Sequence, residues 1–252
     1  MKSVVLCEGR DDLWFISYYL HKTANWNIVK PSKNVWKNYR LSTLTERQDI
    51  QHLSNGSDYV AVWSVCGKDS FEKPISEILR FISSFPFDPI DSIVVVRDRD
   101  YDSVDDVLCK MNSWFDGGIA LTNKATTFLS KTIEDCDVLT YVTPVIIPFS
   151  EEGAIETILK TAIREEGEEE AFIVNSADEY ISALVASGKV GVKYLSSSRL
   201  ILKAKYSAVI SATNPDHSTG LFQDMVMACP WEKSPHVKEH FDVILHAVTS
   251  QS

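Results

Sequence analysis

The N-terminal stretch Lys2–Leu20, KSVVLCEGRDDLWFISYYL, sets the strongest limit on what this chain can become. Ser3 to Cys7 is a short apolar, β-branched run of the kind that forms a strand buried on both faces. Glu8-Gly9-Arg10-Asp11-Asp12 breaks it. Leu13, Ile16, Tyr19 and Leu20 then recur at helical spacing behind Asp11 and Asp12, either of which suits a helix N-cap. A strand that passes through a glutamate and a glycine into a helix belongs to an α/β sheet. Its carboxylates fall at the carboxyl edge of the strands, where such sheets bind ligands.

A second stretch repeats the pattern. Ile93 to Val96 is β-branched and leads into Asp98-x-Asp100-x-Asp102. In extended chain, alternate residues project to one side, so the three carboxylates are expected on a common face. Anions held together repel unless a cation offsets them, and hard oxygen donors in that number suit Mg²⁺ or Mn²⁺.

Strand-Glu8-Gly9-x-x-Asp12 followed by strand-Asp98-x-Asp100 resembles the two signature motifs of the Toprim domain, the catalytic module of topoisomerases, primases and the OLD (overcoming lysogenization defect) nucleases. The helix opening EGRDDLWF is most similar to the small stand-alone or ATPase-linked members of the OLD type, and the resemblance covers roughly residues 2 to 165. It implies a mainly parallel sheet of about four strands with helices on both faces, spanning residues 1–168 with a polar insertion at about 23–58. A small C-terminal helical subdomain over 169–252 completes the expected α/β architecture.

The same resemblance implies metal-dependent cleavage of phosphodiester bonds in DNA or RNA, with two ions bound. Glu8 is then general base or metal ligand, Asp98 and Asp100 are ligands, and Asp12 and Asp102 support them. The run Pro148-x-Ser150-x-x-Gly153-x-Ile155-Glu156 resembles a further feature of these proteins and adds Glu156 to the metal set, although glutamates in a first helical turn are favourable for dipole reasons alone. Lys203 and Lys205 stand where OLD-type nucleases place a lysine that stabilises phosphorane charge. Lys68, in the turn Cys66-Gly67-Lys68-Asp69, is a secondary phosphate contact. Arg97 and Arg99 flank the aspartates, and Arg99 either clamps a phosphate or pairs with its neighbours.

Composition narrows the partners. The 252 residues are 44% hydrophobic and 24% charged, ordinary for a globular protein, and carry a formal net charge of −10. A surface that binds nucleic acid unaided is usually basic. The acidity therefore points to bound divalent ions or to a partner that supplies the basic surface. There is no Walker motif, since position 62 is Val and position 69 is Asp where a P-loop needs Gly and Ser or Thr. By family analogy an ABC-type, OLD-like ATPase would be a separate chain, and this one an effector subunit of an antiphage system, with a homo-oligomer also open. Five scattered cysteines without a CxxC pair read as reduced thiols of a cytoplasmic protein. No apolar run approaches about 18 residues, so neither a signal peptide nor a membrane span is expected.

Along the rest of the chain, Trp26 to Val29 hints at a strand and Leu44 to Leu53 at a helix. Lys30, Lys33, Lys37 and Arg40 interleave with Trp36 and Tyr39, a pattern that could contact nucleic acid by charge and stacking; a solvated insertion with its aromatics tucked beneath is the preferred reading. Ala177 to Ala186, Ser197 to Ala212 and Pro235 to Val248 have helical periodicity. His236-x-x-Glu239-His240 matches a zinc-peptidase pattern, but a surface helix with ordinary histidines is the simpler expectation. Two rivals to a nuclease remain: a non-catalytic adaptor that binds a metal or nucleotide, and a phosphoacceptor domain of receiver type, which wants an Asp-Asp pair where this chain has Glu-Gly.

Overall fold

The computed structural model describes residues 1–30, 35, 36, 39, 41, 43, 45–115, 119–122, 126–133, 136–190, 193–216 and 222–249. The strands are β1 (Lys2–Cys7), β2 (Asn27–Val29), β3 (Asp49–Asn55), β4 (Asp58–Ser64), β5 (Ser92–Asp98), β6 (Thr127–Ile133) and β7 (Cys136–Ile147). The helices are α1 (Arg10–Ala24), α2 (Glu72–Ser84), α3 (Val104–Ser113), α4 (Ile155–Arg164), α5 (Glu168–Ala186), α6 (Ser198–Thr213), α7 (Phe222–Ala228) and α8 (Pro235–Val248). The chain divides into two compact units. The first holds Met1–Asp98, Asp102–Ile146 and Phe241–Ser252; the second holds Arg99–Tyr101 and Ile147–His240.

The first unit is built on a seven-stranded sheet in the order β2-β3-β4-β1-β5-β7-β6. The α/β class is as expected, but the sheet has seven strands where about four were anticipated. The parallel core is β4-β1-β5, and antiparallel pairs β2-β3, β3-β4 and β6-β7 extend it on both sides. Every residue of β1 is buried, as a strand with parallel neighbours on both sides requires. Full burial of a Val or Leu is worth about 1.5–3 kcal/mol, so Val4, Val5 and Leu6, all at 0% exposure, make β1 the energetic centre of the sheet. Leu6 lies level with Trp63 on one side and Val95 on the other. The carboxyl ends of β1, β4 and β5 are thereby aligned.

Helix α1 starts where β1 stops because Asp12 turns back on the chain, its carboxylate accepting the Gly9 N–H at 2.7 Å. It ends at Asn25, whose left-handed φ of 57° closes the last turn. Its buried face meets the end of α8: Phe15 and Tyr19 pack on Phe241 at ring separations of 4.8 and 5.6 Å, and the Tyr19 hydroxyl donates to Asp242 at 2.5 Å.

One expectation fails in this unit. The segment 44–53, read as a helix, instead supplies strand β3 from Asp49. Antiparallel pairing with β4 along its whole length overrides the weak helical pattern.

The second unit is helical. On α4, buried Ile155, Ile158, Leu159, Ala162 and Ile163 repeat every three or four residues and form one apolar stripe. Val174, Ala177 and Ile181 on α5, and Tyr206, Val209 and Ile210 on α6, supply the matching buried faces. A C-terminal helical part is thus present, and it includes α7, which the sequence pattern did not mark. The acidic run Glu165 to Glu170, which the sequence marks as a solvated helix end and linker, starts at the C-cap of α4 and ends as the first turn of α5, where negative charge is favourable next to the exposed N–H groups.

Candidate metal-binding acid cluster

In the first unit the functional side chains gather beyond the carboxyl ends of β1 and β5. Cys7, the last residue of β1, is fully buried. Its thiol is pushed well above the ordinary range, first by burial and then by the negative charges of Asp12, Asp98 and Glu8. Glu8 and Asp12 from the turn after β1, and Asp98 from about ninety residues further along the chain, therefore lie close enough to this one sulfur for their charge to act on it. The sequence expectation that Glu8, Asp12 and Asp98 converge at one edge of a parallel sheet agrees with this placement. Their assignment as metal ligands is a separate matter.

A residue to which the sequence reading gave no firm role sits at the centre of this edge. Arg97 is 4% exposed although it carries a full charge. Continuing the β1-β5 register by two positions from Leu6 and Val95 brings it level with Glu8, and its Nε lies 3.8 Å from the Glu8 carboxylate. Its Nη2 donates to Asp102 at 2.8 Å. Lys68, on the turn after β4, approaches the same Asp102 at 3.9 Å. Asp102, expected to support the ions, is thus held by two cations. The signal for Arg97 was present in the sequence: an arginine at the end of a β-branched strand has to be buried with a partner.

Four carboxylates, Glu8, Asp12, Asp98 and Asp102, face two cations, Arg97 and Lys68. The donors are hard carboxylate oxygens, which fit Mg²⁺ or Mn²⁺. Glu8 and Asp98 are carboxylates that could hold such an ion, while Asp12 is engaged by the Gly9 amide. The group of three ligand atoms that lies within 4.8 Å of one another among the described residues is a different one, His236, Glu239 and His240. The acid cluster is accordingly an open arrangement and not a closed coordination shell.

Asp100 departs from the expected geometry. Strand β5 ends at Asp98, and Asp100 has a left-handed φ of 53°, so the three aspartates do not project from one extended strand. The cause is a reciprocal backbone pair within the second unit: Asp100 N–H donates to the Gly153 carbonyl at 2.6 Å and Gly153 N–H to the Asp100 carbonyl at 2.7 Å. Gly153 itself has φ 140°, a conformation that strongly favours glycine. Arg99, in the same segment, donates to the Phe149 carbonyl at 3.1 Å, a neighbour contact of the kind expected as the alternative to phosphate clamping.

The remaining expected site residues lie in the second unit. Glu156, on the first turn of α4, is 6% exposed. Its carboxylate takes the Lys203 ammonium of α6 at 2.7 Å. The structure thus joins a residue expected as a metal ligand to one expected as a catalytic cation. Lys205 is two positions further along α6, about 200° around the helix, and so it does not share the direction of Lys203. In the polar insertion, Trp36 and Tyr39 are buried at 7% and 2% exposure, so their rings are unavailable for stacking on bases. Lys30 is exposed, while Lys33, Lys37 and Arg40 lie outside the described residues.

Among the described residues, no helix is long and apolar enough to cross a membrane. The chain matches no protein-family model and no curated protein. Among solved structures it is similar to a hypothetical protein of Pyrococcus horikoshii OT3, at 14% identity over 97% of this chain and 100% of that one, with a TM-score of 0.45. It is also similar to a protein of unknown function from Thermoplasma acidophilum, at 11% identity over 98% and 90% of the two chains, with a TM-score of 0.28. Likenesses of this degree carry no argument about activity.

Proposed function

We propose that the first unit is the core of a divalent-metal-dependent phosphodiesterase that cuts DNA or RNA, as the Toprim-like motifs suggest. The observation that carries the reading is the convergence of Glu8, Asp12 and Asp98, from two separate strand ends, on the buried Cys7 thiol. Glu8 and Asp98 would hold the ion, and Asp12 would fix the turn that presents Glu8. When bound, the ion supplies Lewis-acid polarisation of the phosphodiester and a more acidic water. Glu8 would also be placed to accept a proton from an attacking water, and Lys68 on the neighbouring turn would attract a non-bridging phosphate oxygen. The net charge of −10 fits a nucleic acid brought by a second, basic protein, and a separate ATPase chain is the partner the resemblance suggests.

A second reading is favoured by Arg97. A buried guanidinium at Asp102 and Glu8 already offsets part of the negative charge, as a non-catalytic adaptor with a permanently neutralised site would require.

Divalent-ion linkage separates the two. An ion at about one hundred times its dissociation constant adds about 2.7 kcal/mol to stability, which for a chain of this size raises Tm by roughly 5–10 °C. Wild type is expected to show this with Mn²⁺ and to cleave DNA or RNA. Asp98→Asn is expected to lose both the thermal gain and the cleavage, while melting at or above the wild-type temperature in chelator because a like charge is removed. A wild type whose Tm ignores Mn²⁺ and whose nucleic-acid substrates stay intact would leave the adaptor.

A further inference from the structure

We propose that His236, Glu239 and His240 at the start of α8 form a binding site for a Zn²⁺-class transition-metal ion, independent of the acid cluster and of the function assigned to it. One ligand atom from each of the three lies within 4.8 Å of the others. Positions i, i+3 and i+4 share one face of a helix, which accounts for the convergence. The two imidazoles lie with ring centres 4.9 Å apart and planes inclined by 56°, tilted rather than stacked.

The hydrogen bonding sets the tautomer. His240 Nδ1 lies 2.9 Å from the His236 carbonyl oxygen. A carbonyl only accepts, so Nδ1 carries the proton, and in the neutral ring Nε2 keeps its lone pair. This is the arrangement by which a backbone carbonyl orients a ligating histidine. His236 Nε2 is buried and has no hydrogen-bond partner among the described residues, an unfavourable state for a polar atom withdrawn from water. Ordinary histidines on a surface helix would put these atoms in solvent, whereas His240 is only 1% exposed. A metal ion explains both the burial and the unused nitrogen.

Two imidazole nitrogens and one carboxylate oxygen form a borderline donor set, distinct from the all-oxygen cluster at β1 and β5, and they suit Zn²⁺ better than Mg²⁺. In a tetrahedral site with ligand distances of about 2.0–2.1 Å, donor atoms stand about 3.3 Å apart. The trio therefore has to close by roughly 1.5 Å from its widest spacing, and the exposed Glu239 is free to swing that far. One position stays open to water.

The test uses the full chain, stripped with chelator and titrated with Zn²⁺ in competition with a chromophoric chelator. One tight equivalent is expected. Its affinity should fall at least about tenfold in Glu239→Gln, a surface change that leaves folding intact, and about a hundredfold in His236→Asn. Asp98→Asn should leave it unchanged, so that the site is read separately from the acid cluster. No tight equivalent in wild type, an affinity that either α8 variant leaves unaltered, or loss of the ion in Asp98→Asn would each overturn the assignment.

Discussion

Breaking the Glu156–Lys203 pair from its two ends should cost unequal amounts, because the partners differ in burial. The Glu156 side chain is 8% exposed and the Lys203 side chain 39%. Lys203→Met leaves a carboxylate in the interior with its cation gone. Removing one partner of a buried pair costs about 3–5 kcal/mol, and the partial exposure of the lysine end reduces this to about 2–3 kcal/mol. Glu156→Gln keeps an oxygen that accepts the lysine N–H, and the ammonium still reaches water, so its cost is about 0.5–1 kcal/mol. Each 1.4 kcal/mol is a factor of ten in an equilibrium constant. Amide hydrogen exchange in α4 and α6, followed by mass spectrometry, should therefore accelerate about 30- to 150-fold in Lys203→Met and less than about tenfold in Glu156→Gln. The double variant should exchange more slowly than Lys203→Met alone, since it no longer buries an unpaired charge. Equal acceleration in the two single variants, or none in Lys203→Met, would refute the claim that the pair holds α4 to α6.

Gly153→Ala should destabilise the second unit by about 2–4 kcal/mol, since the added Cβ would meet Thr157 Oγ1 at 2.1 Å with φ at 140°; adding Thr157→Ala should recover only the steric part, as read by urea denaturation. His52 is 8% exposed and its pKa is lowered from 6.5 by burial. The folded state thus binds fewer protons than the unfolded one below about pH 6.5, and the His52 contribution to stability should be present at pH 7.5 and lost as the pH falls toward the lowered value; a His52→Phe variant should show a flatter Tm between pH 7.5 and 5.5. Cys66 and Cys109 are exposed and Cys7 is buried. Iodoacetamide followed by peptide mapping should find the first two alkylated in the native protein and Cys7 only after unfolding, with Cys229 slow because burial raises its thiol pKa.

The parts of this fold that the sequence made legible are those where one local pattern settles the outcome. β1 and β5 carry short apolar runs, Val4 to Leu6 and Ile93 to Val96, that are buried and pair in parallel with each other. α2 and α8 show apolar residues at helical spacing. β3 is different: Asp49–Asn55 contains only two apolar residues, Ile50 and Leu53, and becomes a strand through pairing with β4. The alternation Asp98-x-Asp100-x-Asp102 misled for the same reason, since the bond that turns Asp100 left-handed comes from Gly153, far along the chain. Glu156 and Lys203 could each be picked out by residue type, but their contact spans two helices and leaves no spacing to read. Such pairings depend on tertiary packing, and local propensity is a weak guide to them.

The roles of the individual acids at β1 and β5 follow from what already binds them. Asp12 caps α1 through the Gly9 amide, and that alone justifies a carboxylate at its position. Asp102 receives Arg97 and Lys68, and Glu8 lies beside the same guanidinium. Each of these acids has a structural reason to exist, so no single one identifies a metal centre. What the group offers beyond any single acid is the convergence of Glu8, Asp12 and Asp98 on one buried thiol. A divalent ion held there would have a measurable sign: a stability that depends on the ion and disappears when the charge is reduced by one, as in Asp98→Asn.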